Sequence, residues 1–297
     1  MNRVPFRDQV VVRNSAGLYL CVGLDPDDGF IPHGVSLSRF LIDTIDATAE
    51  NAACFKPNAA FYECRRRMEP DGLTGQEVLA ETITYIHSRY PDIPVIGDGK
   101  RADIGNTNLL YAAEFFDWLR CDAMTTNPYF GGDSLSPFFE REGRGIIVMC
   151  RTSNPGAEEI QNLVVDADPP ILGEARVPFY QKVAFLAANS WNKRGNCGLV
   201  VGATAPEEAE KISEIAPNLL KLVPGIGYQG GKIAAAVKGV YAPSGVAVYN
   251  VSRGIIAAWK SKEFKVFPED FAEAAGNAAR YYRETLAGEY EELGRAM

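Results

Sequence analysis

Histidine is scarce in this chain. His33 and His87 are the only two, too few for a histidine-based metal site, and both are expected at the surface. Cysteine is present but unpatterned: Cys21, Cys54, Cys64, Cys121, Cys150 and Cys197 include no C-x-x-C. Four of them sit inside or beside apolar runs, as buried free thiols of a reducing compartment do. No uninterrupted apolar run approaches the ~18 residues of a membrane span. The opening Met-Asn-Arg-Val-Pro-Phe-Arg-Asp has no apolar signal core, so a soluble, cytoplasmic protein is expected. Positive charge is in deficit. Thirty Lys and Arg stand against 38 Asp and Glu, for a net charge of −8 and a pI near 5.0. That balance argues against nucleic acid and anionic membrane as non-specific partners, while leaving room for a small anion in a locally cationic cleft. Fixed-period repeats, low-complexity tracts and linkers are also missing, so residues 1–297 are expected to form one domain.

What is present is an alternation. Short apolar, β-branched runs occur at Leu18–Leu24, Ala53–Pro57, Pro94–Asp98, Ala123–Asn127, Gly145–Cys150, Gly198–Val201, Leu219–Val223 and Val246–Val251. Between them lie stretches of helical periodicity at Ser36–Asn51, Thr74–Tyr90, Asn106–Arg120, Val177–Lys193, Pro206–Ala216 and Gly230–Val240. Near-continuous apolar strands alternating with amphipathic helices specify a parallel sheet covered by helices. Eight such units are the number that closes a (β/α)8 TIM barrel, an α/β fold. No Gly-x-Gly-x-x-Gly follows the first strand, which argues against a dinucleotide fold. Thr204-Ala-Pro206-Glu-Glu reads as an N-cap, a helix-starting proline and early acidic residues. The interval 150–176 is long for a βα loop, and its Asn154-Pro155-Gly156 and Asp168-Pro169-Pro170 turns predict a surface excursion or lid after strand five. The tail Pro268–Met297 reads as the last barrel helix with an extension.

In a closed parallel barrel the residues just after each strand converge on one rim. Strand one ends at Asp25 and strand two in Phe55-Lys56-Pro57-Asn58. Strand three leads into Asp98, Lys100 and Asp103, and strand four ends Thr125-Thr126-Asn127. Strand five leads into Thr152-Ser153-Asn154, strand seven into Pro224-Gly-Ile-Gly-Tyr-Gln229-Gly-Gly, and strand eight into Ser252-Arg253-Gly254. The glycine-rich turn after strand seven and the arginine after strand eight look like a phosphate cradle, combining backbone N–H groups, a helix N-terminus and a bidentate cation. Asp98 and Lys100, two apart, point to one side of an extended backbone. Charges so gathered are costly unless they pair or act on something.

The motif Asp98-x-Lys100-x-x-Asp103-Ile104-x-x-Thr107, with Phe55-Lys56-Pro57-Asn58, Thr152-Ser153-Asn154-Pro155-Gly156-Ala157, the Pro224–Gly231 loop and Ser252-Arg253-Gly-Ile, resembles the orotidine 5′-phosphate decarboxylase family, in its longer bacterial subfamily. Two departures stand out: Gly99-Lys100-Arg101-Ala102, where other small residues vary, and Ser252, where many relatives carry glycine. A backbone donor survives the second. The resemblance implies a cofactor-free, metal-free loss of CO2 from C6 of orotidine 5′-monophosphate, giving UMP. It implies Lys100 as carbanion stabiliser and proton donor, within a Lys56–Asp98–Lys100–Asp103 network. It further implies Asp25 and Lys56 at the ribose hydroxyls, Ser153 at the pyrimidine edge, Gln229 between phosphate and lid, and Arg253 on the phosphate. Asn58, Ile104, Thr107, Pro224 and Ser252 complete the substrate-binding set. Asp103 and Thr107 are implied to enter the site of a second subunit, making a homodimer. A carboxylate held ~4 Å from the substrate carboxylate repels it by about 4 kcal/mol at an effective dielectric of ~20, or about three powers of ten in rate. Carbanion stabilisation therefore has to carry the reaction. Two other readings of the same rim are a sugar-phosphate decarboxylase or aldolase, working through a divalent metal or a Schiff-base lysine, and a non-catalytic nucleotide sensor.

Overall fold

The computed structural model describes residues 4–65, 72–227, 231–264 and 266–296. Its strands are β1 Leu20–Leu24, β2 Cys54–Pro57, β3 Ile96–Arg101, β4 Ala123–Thr126, β5 Gly145–Arg151, β6 Val164–Ile171, β7 Glu174–Pro178, β8 Cys197–Val201, β9 Leu220–Pro224 and β10 Ala247–Val251. Eight of them form one parallel sheet in the order β2-β1-β10-β9-β8-β5-β4-β3. Parallel bridges Phe55↔Val95 and Asn58↔Asp98 join the two ends, so the sheet closes on itself. The eight expected strands are these eight, their ends coinciding or shifted by at most three residues.

Side-chain alternation divides the core. Cys21, Cys54, Ile96, Ala123, Ile147, Leu222 and Val248 fill the barrel interior. Val22, Leu24, Phe55, Leu199, Val201 and Tyr249 face outward against the helices. Several helices are not expected from the pattern, among them Gly132–Phe139 and, longest of them, one before the first strand. Phe6–Ser15 lies across the barrel's lower end and sends Phe6 and Val10 into the interior cluster. Contact is so close that a Cβ on Gly145 would lie 2.2 Å from the Phe6 ring. Only those two of its residues are buried, and Val10-Val11-Val12 is a β-branched run, so neither periodicity nor propensity marks a helix there.

The long segment after β5 folds into an antiparallel hairpin, β6 with β7, turning at Leu172 and Gly173, both at positive φ. Ala167, Ile171 and Val177 pin it to the barrel's flank against Phe185 and Ile215. The expected helices 106–120 and 177–193 are found at Gly105–Ala112 and Phe179–Leu186, with Val177 and Pro178 ending β7 instead, and each finishes in a wider π turn, at Ala113–Trp118 and Ala187–Trp191. Thr204 does not cap the helix Pro206–Ile215. Ala205 occupies that position, and the Thr204 hydroxyl donates to the Ser153 carbonyl at 3.1 Å. The helix Gly75–Arg89 opens at Thr74 in a full capping box with Glu77. The cysteines are free, and five are buried, Cys64 being exposed. His33 is exposed as expected, but His87 is half-buried and lies 3.0 Å from the buried Asp122. Among the described residues no helix is long and apolar enough to cross a membrane.

Candidate active site

The upper rim is built around the end of β3. Gly97 and Gly99 lie against Phe115, and a Cβ at either would approach its ring to 2.5 or 2.3 Å. That contact draws the strand outward, and its register with β4 shifts between Gly97 and Arg101. Within the resulting bulge Lys100 takes a φ of 47°, a left-handed conformation that costs a residue with a Cβ roughly 1–2 kcal/mol. Asp98 and Lys100 meet as expected, through a bulge rather than a regular strand.

Asp98 is the hub. Its Oδ2 accepts from Lys56 Nζ at 2.7 Å, and its Oδ1 accepts from Lys100 Nζ at 2.6 Å and Thr125 Oγ1 at 2.8 Å. Lys56 and Asp98 are buried, whereas the Lys100 side chain is 46% exposed. One cation is thus buried beside the carboxylate and the other faces the open rim. Burial draws the Lys56 pKa down, but the Asp98 and Asp25 carboxylates outweigh it and hold it above the ordinary lysine value. For Asp98, burial favours the neutral acid, and the two ammonium groups with their hydrogen bonds overcome it, placing the carboxyl far below the ordinary range. Both groups are charged at neutral pH.

Asp103 stands apart. Its carboxylate accepts from the Ile104 N–H at 2.6 Å, and no hydrogen bond or ion pair joins it to Lys100 among the described residues. Within one chain the expected four-residue network is therefore three residues. Ile104 is exposed and Thr107 half-exposed at the start of the helix Gly105–Ala112, which presents them outward from this rim.

The substrate-binding candidates converge in part. Asp25, Asn58, Pro224, Ser252 and Arg253 line one cavity of about 440 Å³, together with Asn250 and Ile226. Asn58 joins that cavity to the charged group, since it bridges Asp98 in the closing pair of strands. Two buried polar atoms among the wall residues, Asp25 Oδ1 and Ser252 Oγ, have no hydrogen-bond partner among the described residues. Unpaired polar atoms of this kind cost free energy that a polar ligand offsets. Gly225 at φ 101° carries the loop after β9 over the cavity in a conformation that side chains avoid. Strands β1 and β10 approach so closely that a Cβ on Gly23 would lie 2.6 Å from Ser252 Cβ, fixing the turn that carries Arg253. Gln229 lies outside the described residues. Ser153 sits on the neighbouring rim after β5, apart from the residues lining this cavity, and is tied to Thr204.

One functional side chain drew no role from the sequence. Thr125 is buried between Asp98 and the Lys100 backbone, accepting from Lys100 N at 2.9 Å. Its only signal was its place at the end of the fourth strand.

Comparison with known proteins finds relatives over most of the chain. The description "Orotidine 5′-phosphate decarboxylase / HUMPS family" matches residues 18–263. The chain is 44% identical over 275 residues to the orotidine 5′-phosphate decarboxylase of Halorubrum lacusprofundi, covering 89% of this chain and 92% of that one. It is 41% identical over 273 residues to that of Cupriavidus metallidurans, covering 90% and 92%. Among solved structures it is similar to the OMP decarboxylase of Leishmania donovani, at 31% identity and a TM-score of 0.78, covering 96% of this chain and 99% of that chain. It is also similar to the UMP synthase of the same organism (32% identity, TM-score 0.76, 96% of this chain), but spans only 57% of that longer chain.

Proposed function

This chain belongs to the orotidine 5′-phosphate decarboxylase family, and from that premise we propose how its rim works. The chain is a carboxy-lyase that converts orotidine 5′-monophosphate to UMP and CO2 in pyrimidine biosynthesis. The phosphate is held by Arg253 and the backbone after β9, which lie together on the cavity. Asp25 and Lys56 hold the ribose hydroxyls, with Asn58 beside them, and Ser153 meets the pyrimidine edge. That pose sets C6 and its carboxylate against Lys100.

As the bond from C6 to the carboxyl carbon breaks, its electron pair stays on C6 and CO2 departs. The Lys100 ammonium faces that developing charge and stabilises it, then delivers its proton to C6 to give UMP. Asp98 keeps the ammonium charged and aimed, and Lys56 in turn keeps Asp98 ionised. The observation that carries this reading is the Lys100 ammonium, 2.6 Å from a deeply buried carboxylate yet open on its other side. Gripping a remote phosphate supplies binding energy that is spent at the reacting carbon.

The site is completed by a second copy of the chain. Ile104, Leu109 and Leu110 are all exposed on or beside the helix Gly105–Ala112, which contains Thr107 and begins next to Asp103. Large apolar side chains grouped this way favour burial against a partner. In such a homodimer Asp103 and Thr107 reach the partner's cavity, and Asp103 supplies the carboxylate missing from the network within one chain.

The test is to add orotidylate with EDTA present and follow the loss of its ultraviolet absorption. Complete conversion is expected, whereas Lys100→Ala should keep the fold and release no measurable CO2. Turnover at the wild-type rate in Lys100→Ala ends this reading.

A further inference from the structure

We propose that Thr125 is the positioning residue for Lys100: its hydroxyl closes a ring of hydrogen bonds that holds the lysine in its left-handed backbone conformation and aims the ammonium. The proposal rests on Lys100 acting at the reacting carbon. The ring runs from the Lys100 N–H to Thr125 Oγ1 at 2.9 Å and from Thr125 Oγ1 to Asp98 Oδ1 at 2.8 Å. It returns from that oxygen to Lys100 Nζ at 2.6 Å. Both ends of one lysine, its backbone and its ammonium, are thereby tied to the same two side chains. A hydroxyl has one proton to donate and lone pairs to accept, and both capacities are used.

The ring matters because the conformation it secures is unfavourable by itself. Lys100 sits at φ 47°, where a side chain is costly, and a bulge with no fixed partner relaxes toward ordinary strand geometry. Relaxation would swing the ammonium from its place, and even a 1 Å error at a reacting centre costs rate steeply. The next residue is fixed on the opposite side of the strand. Thr126 Oγ1 donates to the Arg101 carbonyl at 2.6 Å. The Arg101 guanidinium is paired with Glu63 and lies over the rings of Tyr111 and Phe115. Two consecutive threonines at the end of β4 therefore pin consecutive residues of the bulge, Thr125 from the barrel interior and Thr126 from outside. A buried strand threonine usually only satisfies a neighbour. This one is distinguished by bridging the ammonium's counter-ion to the ammonium's own backbone.

The experiment compares Thr125→Val, which keeps size and branching without the hydroxyl, with Thr125→Ser, which keeps the hydroxyl. Losing a hydrogen bond to a charged group should lower kcat of Thr125→Val by about 10- to 100-fold. KM and the inhibition constant of UMP should stay within about threefold of wild type, because the phosphate and ribose contacts are untouched. Thr125→Ser should recover kcat to within about threefold of wild type, a rescue that a packing role would not give. Thermal unfolding of each variant reports whether it folds, and Thr125→Ala takes the place of the valine variant if that one does not. The proposal is overturned if the hydroxyl-free variant keeps kcat within about twofold of wild type, if serine is as slow as valine, or if the loss falls on KM alone. Wild type and Lys100→Ala are run alongside. An inactive wild type or an active Lys100→Ala overturns the role of Lys100 itself, whereas normal behaviour of both with a fast Thr125→Val overturns only the role of Thr125.

Discussion

The Lys56 ammonium and the Asp98 carboxylate form an ion pair of 2.7 Å in which neither side chain is more than 8% exposed. Two charges taken so far from water are stable only while each has the other. The same carboxylate also holds Lys100 and Thr125, so three strands, β2, β3 and β4, are locked together at the rim proposed to carry the chemistry.

Asp98→Asn should therefore be costly to the fold as well as to turnover. It leaves Lys56 buried without its principal counter-charge, a loss of about 3–5 kcal/mol. Urea unfolding at neutral pH measures it, and a loss under about 1 kcal/mol would contradict the pairing described here.

The same pair sets two pH limbs of stability. Asp98 is depressed below its ordinary 3.8, so its contribution is complete above that value and is lost as pH falls toward the folded-state pKa. Lys56 is raised above its ordinary 10.5, so its contribution is complete below that value and is lost as pH climbs past it. Unfolding free energy measured across pH should fall at both ends, and Asp98→Asn should flatten the acid limb.

Lys221 has the sign opposite to Lys56, in a lower window. It is fully buried, and its amine donates to the Ala216 and Pro217 carbonyls at the end of the helix Pro206–Ile215. Burial draws its pKa from 10.5 to about 8. Between those values the unfolded chain binds the extra proton, so this residue makes stability rise with pH. Lys221→Met should remove that rise, read as the change in urea midpoint between about pH 8 and about pH 10.

Arg253→Ala removes the principal cation from the cavity. The expected result is a higher KM and a kcat/KM lower by about two powers of ten, with the unfolding midpoint unchanged. Steady-state kinetics against orotidylate concentration checks it. An unaltered kcat/KM would move the phosphate elsewhere.

Sharing of the site between subunits is tested by complementation. Lys100→Ala and Asp103→Ala should each be inactive as homodimers. Random mixing makes half the dimers mixed, each with one intact site, so about a quarter of wild-type activity should return. No recovery after subunit exchange would place Asp103 in its own chain's site.

Eight strands, six of the intervening helices and the order of the rim residues were legible in the sequence because they rest on local periodicity. A strand's alternation and a helix's 3.6-residue period are written in neighbouring residues, and a parallel barrel gathers the segment after each strand at one end. Local pattern was silent on features that depend on distant contacts. The helix Phe6–Ser15 is fixed by two side chains reaching the barrel interior rather than by an apolar stripe. The hairpin of β6 and β7 holds its shape through three residues resting on Phe185 and Ile215. Asp98 and Lys100 were visible as a pair, yet only packing of Gly97 and Gly99 on Phe115 produces the bulge that turns Lys100 toward the rim. Thr125 acquired its place for the same reason. The sequence by itself determined which charges stand at the mouth of the barrel. Their partners were decided by tertiary structure, because an ion pair or a hydrogen bond depends on distances between strands, and those distances are set by the whole core.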